Sequence, residues 1–271
     1  MSEDTFLFID GASFRRLLDS TRGVYGLGDN FDIDYTKLVN SKIRRAFFYD
    51  AYPIQKRNQT DAQYEAEYKK TVDYFNLIGS TSNFHVRHGE SRFRKKRGSE
   101  QKAVDIMLAL DAYRHASKEN MDRIILVTND LDFCPLFEAL LETRVRTELW
   151  YEKSKTSSLL IDAADHTVEI NEAYLTRFFP NNVAPQFIVS LGPAPEGPML
   201  QEMGLLQEIS IKNEPFRLYR DDRNKNFVGV YITSQNRQSV RSKNFHTVRL
   251  WSEIEWNISL SDLDVPENTQ F

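Results

Sequence analysis

Short apolar runs alternate with amphipathic segments over the first 170 or so residues of this 271-residue chain, and no other feature limits the fold as strongly. Each run is rich in β-branched or aromatic residues and about as long as a buried strand. The runs cover 5–9, 44–49, 84–87, 123–128 and 146–151. Apolar residues at helical spacing lie between them, over 59–78, 101–117 and 133–143. This alternation predicts a doubly wound α/β domain with a parallel sheet covered on both faces.

The pattern changes after residue 175, where prolines accumulate. Five of the nine prolines lie between residues 180 and 198, which predicts a Pro-rich linker over 176–200 with one short strand at 186–191. Strand-like runs follow at 208–212, 216–220, 227–233 and 247–251. We therefore predict a first domain over 1–175, the linker, and a small β-rich module over 201–271.

The cysteine content and the N-terminus bear on the compartment. The single cysteine, Cys134, cannot form an intramolecular disulfide, and the acidic N-terminal residues are unlike a secretory signal. No apolar run approaches the ~20 residues that cross a bilayer. We expect a cytoplasmic protein that does not engage a membrane.

Acidic residues follow two of the predicted strands at the point where each strand ends. Asp10 follows the first strand, and Asp130 and Asp132 follow the fourth. Open parallel sheets bind ligands at the carboxyl ends of their strands, so these acids converge if the two strands are neighbours. Carboxylates without a Cys or His cluster suit Mg²⁺ or Mn²⁺, which supports phosphodiester hydrolysis. The alternative for each acid is a helix cap.

Three motifs in order resemble the NYN domain, in the LabA-like bacterial branch of the PIN-like nuclease superfamily. They are Phe8-Ile9-Asp10-Gly11, the helix that begins Lys102-Ala103-Val104-Asp105, and the stretch from Val127 through Asn129-Asp130-Leu131-Asp132 to Leu136. The resemblance covers about residues 4 to 172. It implies a five-stranded parallel sheet in order 3-2-1-4-5 and metal-dependent ribonuclease chemistry from four acids. Those acids fall on Asp10, Asp105, Asp130 and Asp132, as catalytic residues and as metal ligands.

The chain departs from the family pattern at two supporting positions. Ser13 stands where the family usually has Asn, and it still donates a hydrogen bond. Asn129 stands where the family usually has Gly, and Asn tolerates a left-handed backbone better than most residues. Asp111 lies on the apolar face of its helix, so we expect it to point inward as a supporting residue. Spacing alone would make Asp105 an acid of the first helical turn that matches the helix dipole.

The net charge of −4 conceals two basic segments. The stretch 87–102 has seven basic residues against two acids, and 210–251 has nine against three. A basic loop beside an acidic metal site suits a polyanionic backbone, and the alternative is a solvated loop. The residues predicted to bind substrate are Arg92, Arg94, Lys95, Lys96, Arg97 and Lys102. In the β-rich module, interleaved aromatic rings either stack bases or form the core.

These features together predict a cytoplasmic ribonuclease that depends on Mg²⁺ or Mn²⁺ and acts on RNA, with single-stranded RNA favoured. The alternative is a non-cleaving RNA-binding or regulatory protein that keeps the domain as a scaffold. A phosphatase of the haloacid dehalogenase type fits less well, because Ala12 stands where that mechanism needs a second Asp. The sequence leaves a homodimer open without indicating an interface.

Overall fold

The computed structural model describes residues 3–39, 42–89, 99–234 and 237–271. They form two units, one from Met1–Leu17 with Asp34–Ile170 and the other from Leu18–Ile33 with Asn171–Phe271. The chain passes from the first unit to the second within its first helix and again after residue 170. In the described parts of the chain, every helix is too short or too polar to cross a lipid bilayer.

The first unit is a parallel sheet with helices between its strands. The strands are β1 (Thr5–Asp10), β2 (Ile43–Asp50), β3 (Phe84–His88), β4 (Arg123–Val127), β5 (Arg146–Tyr151) and β6 (His166–Glu169). The helices are α1 (Gly11–Tyr25), which continues into the second unit, α2 (Asp61–Gly79), α3 (Ser99–Ser117), α4 (Cys134–Leu141) and α5 (Ser158–Asp162). The strand order is β3-β2-β1-β4-β5-β6, which confirms the doubly wound fold and the order 3-2-1-4-5 and adds a sixth strand beside β5.

Burial explains why these segments adopt their structures. Every residue of β1 is buried, as expected for a central strand covered on both faces. The ring of Phe8 stacks on that of Phe47 in β2 at 5.0 Å between centroids. Helix α2 begins with a capping box, in which the Thr60 hydroxyl accepts from the N–H of Gln63 and the Gln63 side chain accepts from the N–H of Thr60. Burial thus accounts for the central strand, and the capping box accounts for the start of α2.

The second unit contains an antiparallel sheet of five strands in order β7-β11-β10-β9-β8. The strands are β7 (Ser190–Pro193), β8 (Gly204–Ile211), β9 (Glu214–Asp221), β10 (Asn226–Ile232) and β11 (Arg237–Ser242). The helices are α6 (Glu172–Leu175), α7 (Pro198–Gln201) and α8 (Phe245–Trp256). This sheet confirms the β-rich C-terminal module.

Two sequence expectations for this part of the chain require correction. The run 247–251 is helical, because the Asn244 side chain caps α8 and the helix buries Val248 and Trp251 together. Alternating apolar residues had suggested a strand there. The 176–200 segment is more than a linker, because β7 pairs with β11 inside the second sheet.

The second unit also takes in residues from the predicted first domain. Tyr25, near the end of α1, packs its ring against Phe187 at 4.9 Å and against Phe179 at 6.0 Å between centroids. Residues 18–33 are therefore part of the core of the second unit, although they lie within the predicted 1–175 domain. Strand and helix patterns alone do not reveal which core a helix end joins.

Candidate active site

Asp10 ends β1 and is buried at the carboxyl edge of the parallel sheet. Its Oδ1 accepts hydrogen bonds from the backbone N–H groups of Ala12 (3.0 Å) and Ser13 (3.3 Å), so Asp10 does cap α1. Its Oδ2 accepts from the hydroxyls of Ser13 (2.6 Å) and Thr128 (2.8 Å). Four donors thus hold this carboxylate in one position. This arrangement is compatible with a helix cap and with a catalytic centre.

Thr128 links the ends of two neighbouring strands and was not singled out from the sequence. Strands β1 and β4 pair in parallel, as the convergence of the acids required. The Thr128 hydroxyl donates to Asp10 and accepts from the N–H of Asp130 at 3.1 Å. The Asp130 carboxylate accepts from the N–H of Asp132 at 2.9 Å and caps a 3-10 turn over Leu131–Phe133. One hydroxyl therefore couples the acid of β1 to the loop that carries the other two.

The third element of the cluster is α3, which carries Asp105. Burial is the main cause that raises the pKa of the Asp105 carboxyl to about 6, and the negative charges of Asp10, Asp130 and Asp132 contribute to the same shift. Asp105 therefore lies within electrostatic reach of each of the other three predicted acids, although the elements that carry them are far apart in sequence. Asp132 is exposed to solvent, whereas Asp105 and Asp130 are half-buried.

A buried acid that the sequence analysis missed lies beside this cluster. Asp50 ends β2, its side chain is 3% exposed, and the Arg15 guanidinium pairs with it at 2.7 and 2.9 Å. The pKa of Asp50 is raised to about 6, mainly by burial and to a smaller extent by the charge of Asp10, although Arg15 opposes the shift. The signal was available, since Asp50 follows a strand just as Asp10 does. Gly11 permits the close approach, because a Cβ there would lie 2.7 Å from the Cβ of Asp50.

Asn129 has a role other than the expected one. Its backbone does not adopt the left-handed conformation suggested by its replacement of glycine. Instead, its side-chain amide donates to buried Glu152 at 2.8 Å, and its carbonyl oxygen accepts from the N–H of Glu152 at 2.8 Å and from the Thr156 hydroxyl at 2.9 Å. Asn129 thus ties the loop after β4 to the loop after β5, and its support for the acids stays a prediction.

Asp111 lies in a separate polar group. Its side chain is 17% exposed, accepts a hydrogen bond from the Tyr49 hydroxyl at 3.1 Å, and pairs with Arg114 at 3.3 Å and Arg87 at 4.0 Å. It points inward as expected. Within the described residues it contacts none of the four clustered acids, so any supporting role stays a prediction.

The residues predicted to bind substrate cannot be placed against the acids. Arg92, Arg94, Lys95, Lys96 and Arg97 lie outside the described residues, and so does the side chain of Lys102. Two described elements bound this segment. Strand β3 ends at the carboxyl edge of the sheet, and α3 carries Asp105. Its role in binding therefore stays a prediction.

Five aromatic rings of the β-rich module contribute to the core of the second unit. The five rings considered for base stacking are Phe216, Tyr219, Phe227, Tyr231 and Phe245, and all are buried. Three basic residues of the same segment pair with acids at 2.7 Å, namely Arg217 with Glu208, Arg220 with Asp222 and Arg223 with Glu202. Of the two alternatives for these five rings, their burial supports the core, and a nucleic-acid role for this segment stays a prediction based on its basic residues.

The four clustered acids fit a hydrated divalent cation in charge and in donor chemistry. Mg²⁺ and Mn²⁺ prefer oxygen ligands, and Mg²⁺ commonly keeps several waters while binding one or two carboxylates. Burial is the main cause of the raised pKa of Asp105, and the smaller contribution from its acidic neighbours is one that a bound cation would offset. Among the described residues, no three His, Cys, Asp or Glu side chains are already gathered as a ligand set.

Replacing Thr128 with Val is expected to destabilise the protein by about 1–3 kcal/mol, because the change keeps the shape but removes one buried and one half-buried hydrogen bond. The Asp10 carboxylate loses a donor and the Asp130 N–H loses an acceptor. Urea unfolding monitored by circular dichroism measures the loss. Thr128→Ser keeps the hydroxyl and should retain most of the stability. Equal stability of Thr128→Val and the unmodified chain would contradict the assigned contacts.

The fold and site define a doubly wound α/β protein with an acidic centre at the carboxyl edge of its sheet. A family model described as the NYN domain matches residues 4–171. The chain therefore belongs to the NYN domain family, a branch of the PIN-like nuclease superfamily. A search of curated proteins gave no match.

Solved structures that resemble the chain add little about its chemistry. A protein of unknown function from Vibrio parahaemolyticus is 23% identical, with 63% of this chain and 94% of that chain covered and a TM-score of 0.43. A haloacid dehalogenase-like hydrolase from Streptococcus pneumoniae is 11% identical, with 63% and 95% covered and a TM-score of 0.23. At TM-scores below 0.5, neither likeness bears on what this protein does.

Proposed function

We propose that this protein is an endoribonuclease that depends on Mg²⁺ or Mn²⁺ and hydrolyses RNA phosphodiester bonds at the acidic cluster. Asp10, Asp105, Asp130 and Asp132 hold the ion. The observation that carries the proposal is the placement of these acids in a member of the NYN family: Asp10 and Asp130 share the Thr128 hydroxyl, and Asp105 on α3 lies within electrostatic reach of Asp10, Asp130 and Asp132. A helix cap needs only one carboxylate, so capping does not account for four acids on three elements.

Each part of the cluster has a distinct task in this proposal. When bound, the ion polarises a phosphoryl oxygen and lowers the pKa of a bound water. Ser13 and Thr128 hold the Asp10 carboxylate in one orientation through their hydroxyls. Asp105 would add a ligand from α3, and in the metal-free protein burial and the three neighbouring acids raise its pKa to about 6.

The substrate in this proposal is single-stranded RNA in the cytoplasm. The basic segment of 87–102 would hold phosphates beside the acids, with Arg92, Arg94, Lys95, Lys96, Arg97 and Lys102 as the contacts. Ala12 supplies no acid, so phosphoester hydrolysis through a second Asp, as in haloacid dehalogenases, has no residue to carry it.

Cleavage of labelled RNA tests the proposal directly. The full chain is incubated with single-stranded RNA, structured RNA and single-stranded DNA, each with Mn²⁺, with Mg²⁺ and with chelator. We expect metal-dependent products from single-stranded RNA that chelator abolishes. RNA binding without products in either metal would instead support the non-cleaving scaffold, an alternative consistent with the hydrogen bonds that already occupy both oxygens of Asp10.

The stability of the metal-free protein should depend on Asp105 and on pH. Because the pKa of Asp105 is raised from its ordinary value near 4 to about 6, the folded state binds this proton more tightly than the unfolded state. Its contribution is favourable at low pH and is lost as the pH rises from about 4 to about 6. Asp105→Asn should therefore match the unmodified chain at pH 4 and exceed its stability at pH 7.

Urea unfolding at pH 4, 5, 6 and 7 in chelator measures this difference. Asp73→Asn, an exposed acid on α2, provides the control and should show no such pH-dependent gain. A gain for Asp105→Asn that is equal at pH 4 and pH 7 would show that the cluster does not strain this carboxyl.

A further inference from the structure

Aromatic rings form a continuous array beside the candidate active site. The Tyr52 ring stacks on Tyr68 at 5.0 Å between centroids, with 27° between planes, and also contacts His88 at 4.9 Å and Phe75 at 5.2 Å. Tyr64, one turn before Tyr68 on α2, extends the array at 6.0 Å. The array joins the loop after β2, the end of β3 and one face of α2.

Only one ring of the array belongs to the interior. Phe75 is buried, whereas Tyr52, Tyr64 and Tyr68 are half-buried and His88 is exposed. Packing of the sheet requires Phe75, but it does not require rings that remain open to solvent. A cavity of about 570 Å³ borders the array and is lined by residues that include Tyr52, Phe75 and His88.

The array lies at the same edge of the sheet as the acids. Asp10 pairs with Tyr49 across β1 and β2, and Asp50 pairs with His88 across β2 and β3. Tyr52 follows the end of β2 by two residues. Because adjacent strands are about 4.8 Å apart, the ends of β2 and β3 are about 5 and 10 Å from the end of β1. A few nucleotides of single-stranded RNA span that distance.

Exposed basic residues lie near the array in sequence on β3, in the loop after β2 and on α2. Arg87, whose side chain is 54% exposed, precedes His88 and leads into the basic segment. Lys56 and Arg57 are exposed in the loop that follows Tyr52. On α2, exposed Glu65 and half-buried Glu67 precede Tyr68 and exposed Lys69 and Lys70 follow it, so this end of the array carries charges of both signs.

We infer that this array, built on Tyr52, Tyr68 and His88, stacks unpaired bases of a single-stranded nucleic acid whose backbone passes the acidic cluster. The inference rests on the proposed function and extends it to the choice of substrate: bases must be unpaired to reach the rings. Aromatic side chains bind bases with little regard to sequence, because every base has a π face. A duplex of the same charge offers no such faces.

Fluorescence anisotropy with the full chain in chelator tests this inference. The probes are a labelled oligouridylate, the same oligomer with abasic positions, and an RNA duplex. We expect the unmodified chain to bind the oligouridylate about tenfold more tightly than the abasic oligomer, as one stacked base would give. Tyr52→Ala with Tyr68→Ala should remove that preference and leave abasic binding unchanged.

Two kinds of control keep the outcome decisive. Tyr52→Phe with Tyr68→Phe keeps both rings and should behave as the unmodified chain. Tyr113→Ala removes an exposed ring on α3, outside the array. Equal affinity of the unmodified chain for oligouridylate and abasic oligomer would overturn the inference, even if the alanine variants fail to fold. The inference would also be overturned if the unmodified chain bound an oligosaccharide and no oligonucleotide, and the alanine variants lost that binding.

The cleavage assay separates the two proposals. Metal-dependent cleavage by the unmodified chain together with equal affinity for oligouridylate and abasic oligomer would refute the stacking array and leave the ribonuclease intact. A preference for bases without cleavage in either metal would support the array and refute the ribonuclease.

Discussion

Replacing Asp10 with Asn is expected to lower the rate of RNA cleavage by about a thousandfold or more while the protein remains folded. The variant removes the most constrained negative charge of the cluster. The fold should survive because the hydroxyls of Ser13 and Thr128 can rotate, so that one accepts from the new amide instead of donating to a carboxylate. Cleavage of labelled single-stranded RNA with Mn²⁺ gives the rate, and circular dichroism confirms folding.

Asp73→Asn is the matched control, because it makes the same chemical change at an exposed position of α2. Its cleavage rate should equal that of the unmodified chain. A folded Asp10→Asn variant that still cleaves at the original rate would reduce Asp10 to a helix cap and remove the basis of the proposed function.

Replacing Gly11 with Ala is expected to destabilise the protein by about 1–3 kcal/mol and to lower cleavage with it. The added methyl would lie 2.7 Å from the Tyr49 carbonyl oxygen and 2.7 Å from the Cβ of Asp50, so the start of α1 must move away from β2. That movement displaces Asp10 on one side and the Asp50–Arg15 pair on the other. Urea unfolding and the cleavage assay record the two effects.

Gly23 provides the control position, because it lies in the same helix and a Cβ added there would have no atom within 4 Å. Gly23→Ala should stabilise the protein by about 0.5–1 kcal/mol, as glycine replacement in a helix usually does. Stabilisation by both variants would mean that α1 does not pack tightly against β2 at Gly11.

The parallel sheet was predictable because burial on both faces leaves a simple signal. Strand β1 is apolar up to Asp10, and apolar residues on α3 recur every four positions from Val104 to Ala116. The second unit was harder to predict. In α8, Val248 and Leu250 alternate as they would in a strand, and only the cap from Asn244 shows that the segment is helical. Over so few residues, the spacing of apolar side chains does not distinguish the two-residue period of a strand from the 3.6-residue period of a helix.

The candidate site also contains residues that could be predicted from the sequence and residues that could not. The four acids were named from strand ends and from the resemblance, since each carries its signal in the sequence. Thr128 was not, because its importance depends on Asp10, which is far away in the chain, whereas Asp50 was missed although it ends a strand as Asp10 does. The aromatic array was equally hidden, since Tyr52, Tyr68 and His88 belong to three different elements.

Titration of Mn²⁺ into the RNA-free full chain at pH 7.5, followed by calorimetry, tests the central claim that these acids form a metal centre. The proposal predicts saturable binding by the unmodified chain and loss of that binding in the folded Asp105→Asn variant. It also predicts that saturating Mn²⁺ raises the melting temperature of the unmodified chain only. Absence of binding by the unmodified chain, or equal binding by Asp105→Asn, would contradict the claim.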